Sequence, residues 1–162
     1  MIKTLAFLKR KPGMSRDDFI KQYETGHAPF GITVMPTAKR YLRRYVRSVA
    51  DGFPEPDFDV ITEVWFENQK AYADAMAALS SPAIAALVAE DEAKLFDRSD
   101  MRFALVEEHE TKLSGSPRTE GSQTKFLAFL KRKSGMATAD FISYYEAHRL
   151  RKTKKSYSIG AN

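Results

Sequence analysis

Residues Lys3 to Glu24 recur 122 positions later as Lys125 to Glu146, and 15 of the 22 aligned pairs are identical. The match runs from LAFLKRKPGM against LAFLKRKSGM to DFIKQYE against DFISYYE. Identity that dense in a stretch of mixed composition marks duplication of a structural unit. Only the opening of the unit returns before Asn162. The chain therefore reads as a complete domain over residues 1–111, a linker over 112–124, a partial second repeat of strand plus helix over 125–149, and a basic tail over 150–162.

Charge follows the same division. Met1 to Thr111 holds 15 basic and 18 acidic residues, whereas Lys112 to Asn162 holds 11 basic and 3 acidic. The net charge of +5 thus belongs to the second part, and the complete domain has no cationic face to bind nucleic acid. No apolar run approaches membrane-spanning length, so a membrane partner is not expected either. The absence of cysteine excludes disulfides and thiolate metal sites and fits a reducing cytoplasm.

Periodicity supplies the elements. Lys3 to Lys11 alternates as a strand and ends at Pro12-Gly13. Ser15 is a helix N-cap, with Met14 and Phe19 as a hydrophobic staple, and Gly26 with Pro29 is expected to stop or bend that helix. Arg40 to Val49 forms a second strand with Tyr41, Arg43, Tyr45 and Arg47 on one face. A third, Phe58 to Phe66, alternates Phe58, Val60, Thr62, Val64 and Phe66 with Asp59, Ile61, Glu63 and Trp65. Asn68 caps a helix bearing Tyr72, Ala75, Met76 and Leu79. Ser81-Pro82 opens another, bearing Ile84, Leu87, Val88 and Leu95, and Met101 to Glu108 is the last strand. The order βαββαβ is the ferredoxin-like α+β arrangement, with helices on one sheet face and the other face bare, which predicts a homodimer.

The segments LAFLKRKPGMS, YETGHAP, RYLRRYV, FDVITEVWF, EDEAKLFD and RFALVEE, in this order over Met1 to about Glu110, resemble the EthD family of dimeric α+β barrels, named for ethyl tert-butyl ether degradation. The partial repeat matches that family only through its first strand and helix. The resemblance implies a small-molecule ligand and relatives that are cofactor-free isomerases, cyclases, decarboxylases or monooxygenases. Fold alone does not fix function.

His27 lies four positions after Tyr23, so the two project from about one side of the first helix. At a helix C-terminus the dipole would favour imidazolium and a proton-donating role. The resemblance makes it the histidine of the family's Tyr-Glu-x-x-His-Ala-Pro segment. A capping role for His27 is the alternative. Tyr41 and Tyr45 share a strand face and either donate hydrogen bonds to a substrate oxygen or pack as a sheet pair. Arg43 between them needs a partner if buried. Asp59 and Glu63, on one face with Trp65, are candidates for that partner, for a base, or for a structural ion-pair network. We therefore expect His27, Tyr41 and Tyr45 as catalytic residues, with Tyr23, Asp59, Glu63 and Trp65 binding substrate and no metal or cofactor. Asp91, Glu92 and Asp97 read as a solvated helix end, and His109 as surface. No phosphate loop, dinucleotide fingerprint, nucleophile elbow or HExxH occurs.

In the second copy Ala137 stands where Ser15 caps the first helix, a change worth about 1 kcal/mol. Tyr145-Glu146-Ala147-His148 is one residue shorter than Tyr23-Glu24-Thr25-Gly26-His27, so His148 inherits no role. A lone strand and helix bury too little to stand alone, so Lys125 to Arg149 is expected to seek cover through the Ser114–Gln123 linker, either beside a homodimer or in place of the second subunit. Two function classes stay open: a cofactor-independent enzyme acting on an aromatic, polyketide-like or lactone substrate, and a non-catalytic accessory or ligand-binding module. A cavity of at least ~300 Å³ with His27 in its wall favours the first.

Overall fold

The computed structural model describes residues 1–48, 51–109 and 127–152, the last five as backbone. It separates into two units, Met1–Lys112 and Leu113–Asn162. In the first, strand β1 (Ile2–Leu8) leads through a turn at Gly13, φ +83°, into helix α1 (Arg16–Gln22). Ser15 caps α1 by accepting from the Asp18 N–H at 3.1 Å. Met14 packs with Phe19 against the core, as a staple does.

The helix does not stop at Gly26. It widens into a π-helical turn, Tyr23–His27, in which the Ala28 N–H reaches back five residues to the Tyr23 carbonyl, and it continues as α2 (Ala28–Val34). Pro29 sits in the first turn of α2, directly after the widened turn, and brings no N–H of its own to the ladder there. The expected helix end is therefore a change of helical pitch, and His27 has no helix C-terminus beside it.

Strands β2 (Ala38–Tyr45), β3 (Val60–Phe66) and β4 (Arg102–Val106) complete an antiparallel sheet in the order β2-β3-β1-β4, and α3 (Gln69–Leu79) and α4 (Pro82–Leu95) lie between β3 and β4 in the chain. The Asn68 side chain caps α3 through the Ala71 N–H at 2.9 Å. An 80° bend separates α3 from α4. Register pairs Thr4 with Val64 and Ala6 with Thr62 across β1 and β3, and Tyr41 with Val64 across β2 and β3. This is the α+β ferredoxin-like arrangement.

Parity on β3 divides the domain. Val60, Val64 and Phe66 enter the apolar clusters, the first with Phe19, Tyr23, Leu95 and Phe96 and the other two with Ala75. Fully burying side chains such as Phe19 contributes about 1.5–3 kcal/mol each. The opposite parity carries Ile61, Glu63 and Trp65, which are buried as well. Glu63 is gripped by Arg44 and by Lys3 at 3.1 Å, and Lys3 and Arg40 lie 4.5 and 4.9 Å from the Trp65 ring centroid. That face is not bare at its centre. Burial alone would raise the Glu63 carboxyl, but hydrogen bonds from Arg44 and Lys3 hold it below the usual carboxylate range.

In the second unit residues 127–133 have no regular secondary structure, and the strand expected over Lys125 to Lys133 is not formed among the described residues. Helix α5 (Thr138–Lys152) does form. The expected linker over 112–124 and most of the tail over 150–162 lie outside the described residues. Among those described, no single helix is long and apolar enough to cross a membrane.

Candidate functional site

Between helices and sheet lies a cavity of about 420 Å³. Its walls are mostly apolar: Ala6, Leu8 and Val64 from the sheet, Phe30 and Val34 from α2, Met76 and Val88 from α3 and α4. Gly31 of α2 faces Tyr41, and a Cβ placed there would meet the Tyr41 hydroxyl at 3.5 Å, an ordinary packing contact. Phe103 and Leu105 of β4 also line the cavity and are 70% and 64% exposed, so they mark its mouth.

Two polar groupings enter this apolar space. In the first, the fully buried Tyr23 meets Thr62 at 2.6 Å and Tyr41 at 3.2 Å, hydroxyl to hydroxyl. Three hydroxyls carry three protons, and only two are needed for these two hydrogen bonds. The third proton stays on one of the three hydroxyls, and Tyr23, Tyr41 and Thr62 all line the cavity. Burial pushes the Tyr23 and Tyr41 phenols well above their ordinary pKa, so both stay protonated as donors.

The second grouping is His27 with Asp91, Nδ1 to Oδ2 at 2.5 Å. The carboxylate fixes the ring through Nδ1, leaving Nε2 as the nitrogen able to exchange a proton. Tyr23 and Phe96 pack edge-on against the imidazole, with centroids 4.8 and 5.0 Å away. Tyr23 and His27, four residues apart, bracket the π-helical turn, and Gly31 and Val34 of α2 beyond it line the cavity. Glu92, beside Asp91 on α4, lines the same cavity and contacts Arg98 at 3.3 Å. Burial raises the Glu92 carboxyl above the usual range, opposed by Arg98 and His27.

The structure thus brings Tyr23, His27 and Tyr41 to one cavity. Tyr45 shares the strand face of Tyr41 but does not line the cavity, and its hydroxyl donates to Glu24 at 2.7 Å. Glu24, not Asp59 or Glu63, is the partner of Arg43, at 2.6 Å. That hydrogen bond from Arg43 holds the Glu24 carboxyl below the ordinary carboxylate range. Asp59 instead accepts from the Arg10 backbone N–H at 2.9 Å and pairs with its guanidinium at 3.0 Å. Glu63 and Trp65 stand on the opposite sheet face, because their parity on β3 is that of Ile61 and not of Thr62. His109 pairs with Glu107 at 3.0 Å, half exposed.

Asp91 and Glu92 are the residues that sequence reasoning assigned to solvent. Asp97, by contrast, caps its own turn through Ser99. The signal was present: positions 84, 88, 91 and 95 share one helical stripe, and an aspartate inside an apolar stripe asks for a buried partner. Among the described residues no group of three or more His, Asp or Glu is placed to hold a metal ion.

A family model described as the EthD domain matches residues 11–99. No curated protein matches the chain. Among solved structures, the protein At3g17210 of Arabidopsis thaliana is similar at 18% identity and a TM-score of 0.50, covering 70% of this chain and all, 100%, of that one. An ethyl tert-butyl ether degradation family protein of Bacillus halodurans follows at 19% identity and TM-score 0.48, covering 67% of this chain and 100% of its own. SnoaB, a cofactor-independent oxygenase of Streptomyces nogalater, is similar at 12% identity and TM-score 0.45, covering 68% of this chain and 94% of its own. Identities this low speak to fold alone.

Proposed function

The chain belongs to the EthD domain family, and from that premise we propose that it is a cofactor-independent enzyme abstracting a proton next to the carbonyl of a small aromatic, polyketide-like or lactone substrate. The observation that carries this reading is the convergence of the His27–Asp91 pair and the Tyr23–Tyr41–Thr62 hydroxyl chain on one apolar cavity of about 420 Å³. In the proposed step Nε2 of His27 accepts a proton from carbon. The electron pair of the C–H bond moves into the new C=C bond, and the carbonyl electrons move onto oxygen. The spare hydroxyl proton, taken as that of Tyr41, hydrogen-bonds the resulting enolate. Asp91 stabilises the imidazolium formed. Isomerisation, cyclisation or oxygenation can all proceed from such an enolate, so the step defines a class and not a product.

An accessory module without catalysis would be better served by a filled interior than by this one. Homodimer formation remains part of the proposal, and Phe103 and Leu105, exposed on β4, are apolar surface that a partner could cover. A monomeric mass by light scattering would refute it.

The test is exchange of α-protons of 2-tetralone and of small lactones in D2O, followed by proton NMR. Wild type is expected to accelerate exchange. His27→Ala should lose about 10²–10⁴-fold, with Asp91→Asn intermediate and Tyr41→Phe losing more in rate than in binding. A His27→Ala protein that exchanges at the wild-type rate would sink the base assignment.

A further inference from the structure

The charges around the cavity restrict what can enter it. Among the described residues that line it, none is lysine or arginine, and one, Glu92, carries a carboxyl. The cations nearby are engaged with acids. Arg98 lies on Glu92 at 3.3 Å, Arg43 on Glu24 at 2.6 Å, and Arg10 on Asp59 at 3.0 Å. Should His27 take up a proton, Asp91 at 2.5 Å balances it. Among the described residues each of these cations therefore has a carboxylate of its own, and the polar groups left for a ligand are hydroxyl protons.

We infer that the cavity selects uncharged ligands bearing a carbonyl oxygen, and rejects the corresponding carboxylates. This deepens the proposed function and rests on it. A carboxylate entering these apolar walls loses its hydration without gaining a counter-ion, because Glu92 already holds Arg98. A ketone, ester or lactone oxygen needs only one good donor, which the Tyr23–Tyr41–Thr62 chain has left over. The selectivity comes from a cost placed on the wrong ligand as much as from contacts with the right one.

A matched pair of probes tests this on the full-length wild-type chain: coumarin-3-carboxylate, an anion at pH 7, and its methyl ester, titrated by calorimetry and by saturation-transfer NMR. The ester is expected to bind at least about tenfold more tightly. Glu92→Gln should narrow that gap, by releasing Arg98 as a counter-ion for the acid. Equal or tighter binding of the carboxylate would overturn the inference while leaving the cavity a ligand site. Failure of both probes to bind a folded protein would overturn it together with the proposed function. A gap unchanged in Glu92→Gln would remove Glu92 from the explanation.

Discussion

The two copies of the repeated segment are nearly the same sentence read in two settings. Gly13 and Gly135 take φ of +83° and +80°, and the turns around them close identically: Met14 N–H to Lys11 carbonyl and Met136 N–H to Lys133 carbonyl, both at 3.1 Å. The helices that follow begin alike, with Phe19 bonded to Ser15 and Phe141 to Ala137, both at 3.0 Å. The strands differ. Residues 3–7 pair with β3 on one edge and β4 on the other, whereas 127–133, identical to 5–11 at all seven positions, form no strand. Turn and helix bonds close within five residues, so local sequence suffices for them. A strand needs partners distant in sequence, and its propensity is mostly a report of its neighbours. Where Leu8 has Val60 across from it, the identical Leu130 is an exposed apolar side chain.

The most forceful way to break this contrast is to truncate the equivalent phenylalanines. Phe19 is wholly buried against Tyr23, Tyr45 and Phe96, so Phe19→Ala should cost about 3–5 kcal/mol in denaturant unfolding of the first unit. Phe141 is only partly buried, and Phe141→Ala should cost less than about 1 kcal/mol. Equal losses would mean that the second copy is as deeply packed as the first.

The next effect sharpens the comparison at the helix. Tyr-Glu-Thr-Gly-His in the first copy is one residue longer than Tyr-Glu-Ala-His in the second, and the first holds a π-helical turn where α5 runs on as α-helix. Deleting Gly26 should convert the turn to α-helix and rotate His27 off Asp91. The expected loss is about 10²-fold or more in α-proton exchange, with the circular dichroism of a folded protein retained. Gly26→Ala keeps the residue count, and its added Cβ meets nothing within 4 Å, so that variant should remain active. Activity surviving the deletion would show that the widened turn does not position the histidine.

The smallest effect is electrostatic. Glu24 is hydrogen-bonded by Arg43 and Tyr45, and its carboxyl is held below the ordinary range. A lowered folded-state pKa means stability that is present above the unfolded pKa and lost as pH falls through the folded one. The advantage of wild type over Glu24→Gln should therefore shrink below about pH 4, and at neutral pH it should stay under about 1 kcal/mol, because the pair is partly solvated. Glu146→Gln, at the matching position of α5, should cost less at neutral pH than Glu24→Gln does, and an equal loss would mean that the second copy holds its glutamate as firmly as the first.

Legibility followed the same boundary between local and distant. The Ser15 and Asn68 caps, the Met14–Phe19 staple and the strand order were readable because each rests on a few adjacent residues or on period-two alternation. Alternation divides β3 into two faces without saying which lies under the helices. That is how Glu63 and Trp65 came to be expected beside His27 when Thr62 stands there. Tyr23, His27 and Tyr41 were found by spacing and by resemblance. Asp91 was not, since 64 residues separate it from His27 and only the packing of α4 against the π-helical turn joins them. The aspartate in the apolar stripe was its trace.

One residue inserted in a helix also changes how such a protein can diversify. An uninterrupted helix is a single screw: turning one end to fit a new contact turns the other. The widened turn indexes its two ends separately. Phe19 and Met14 stay keyed to the core, while Phe30, Gly31 and Val34 present themselves to the cavity on their own setting. Substitutions that reshape the chamber for another guest can then accumulate on α2 without disturbing the packing that keeps the domain folded.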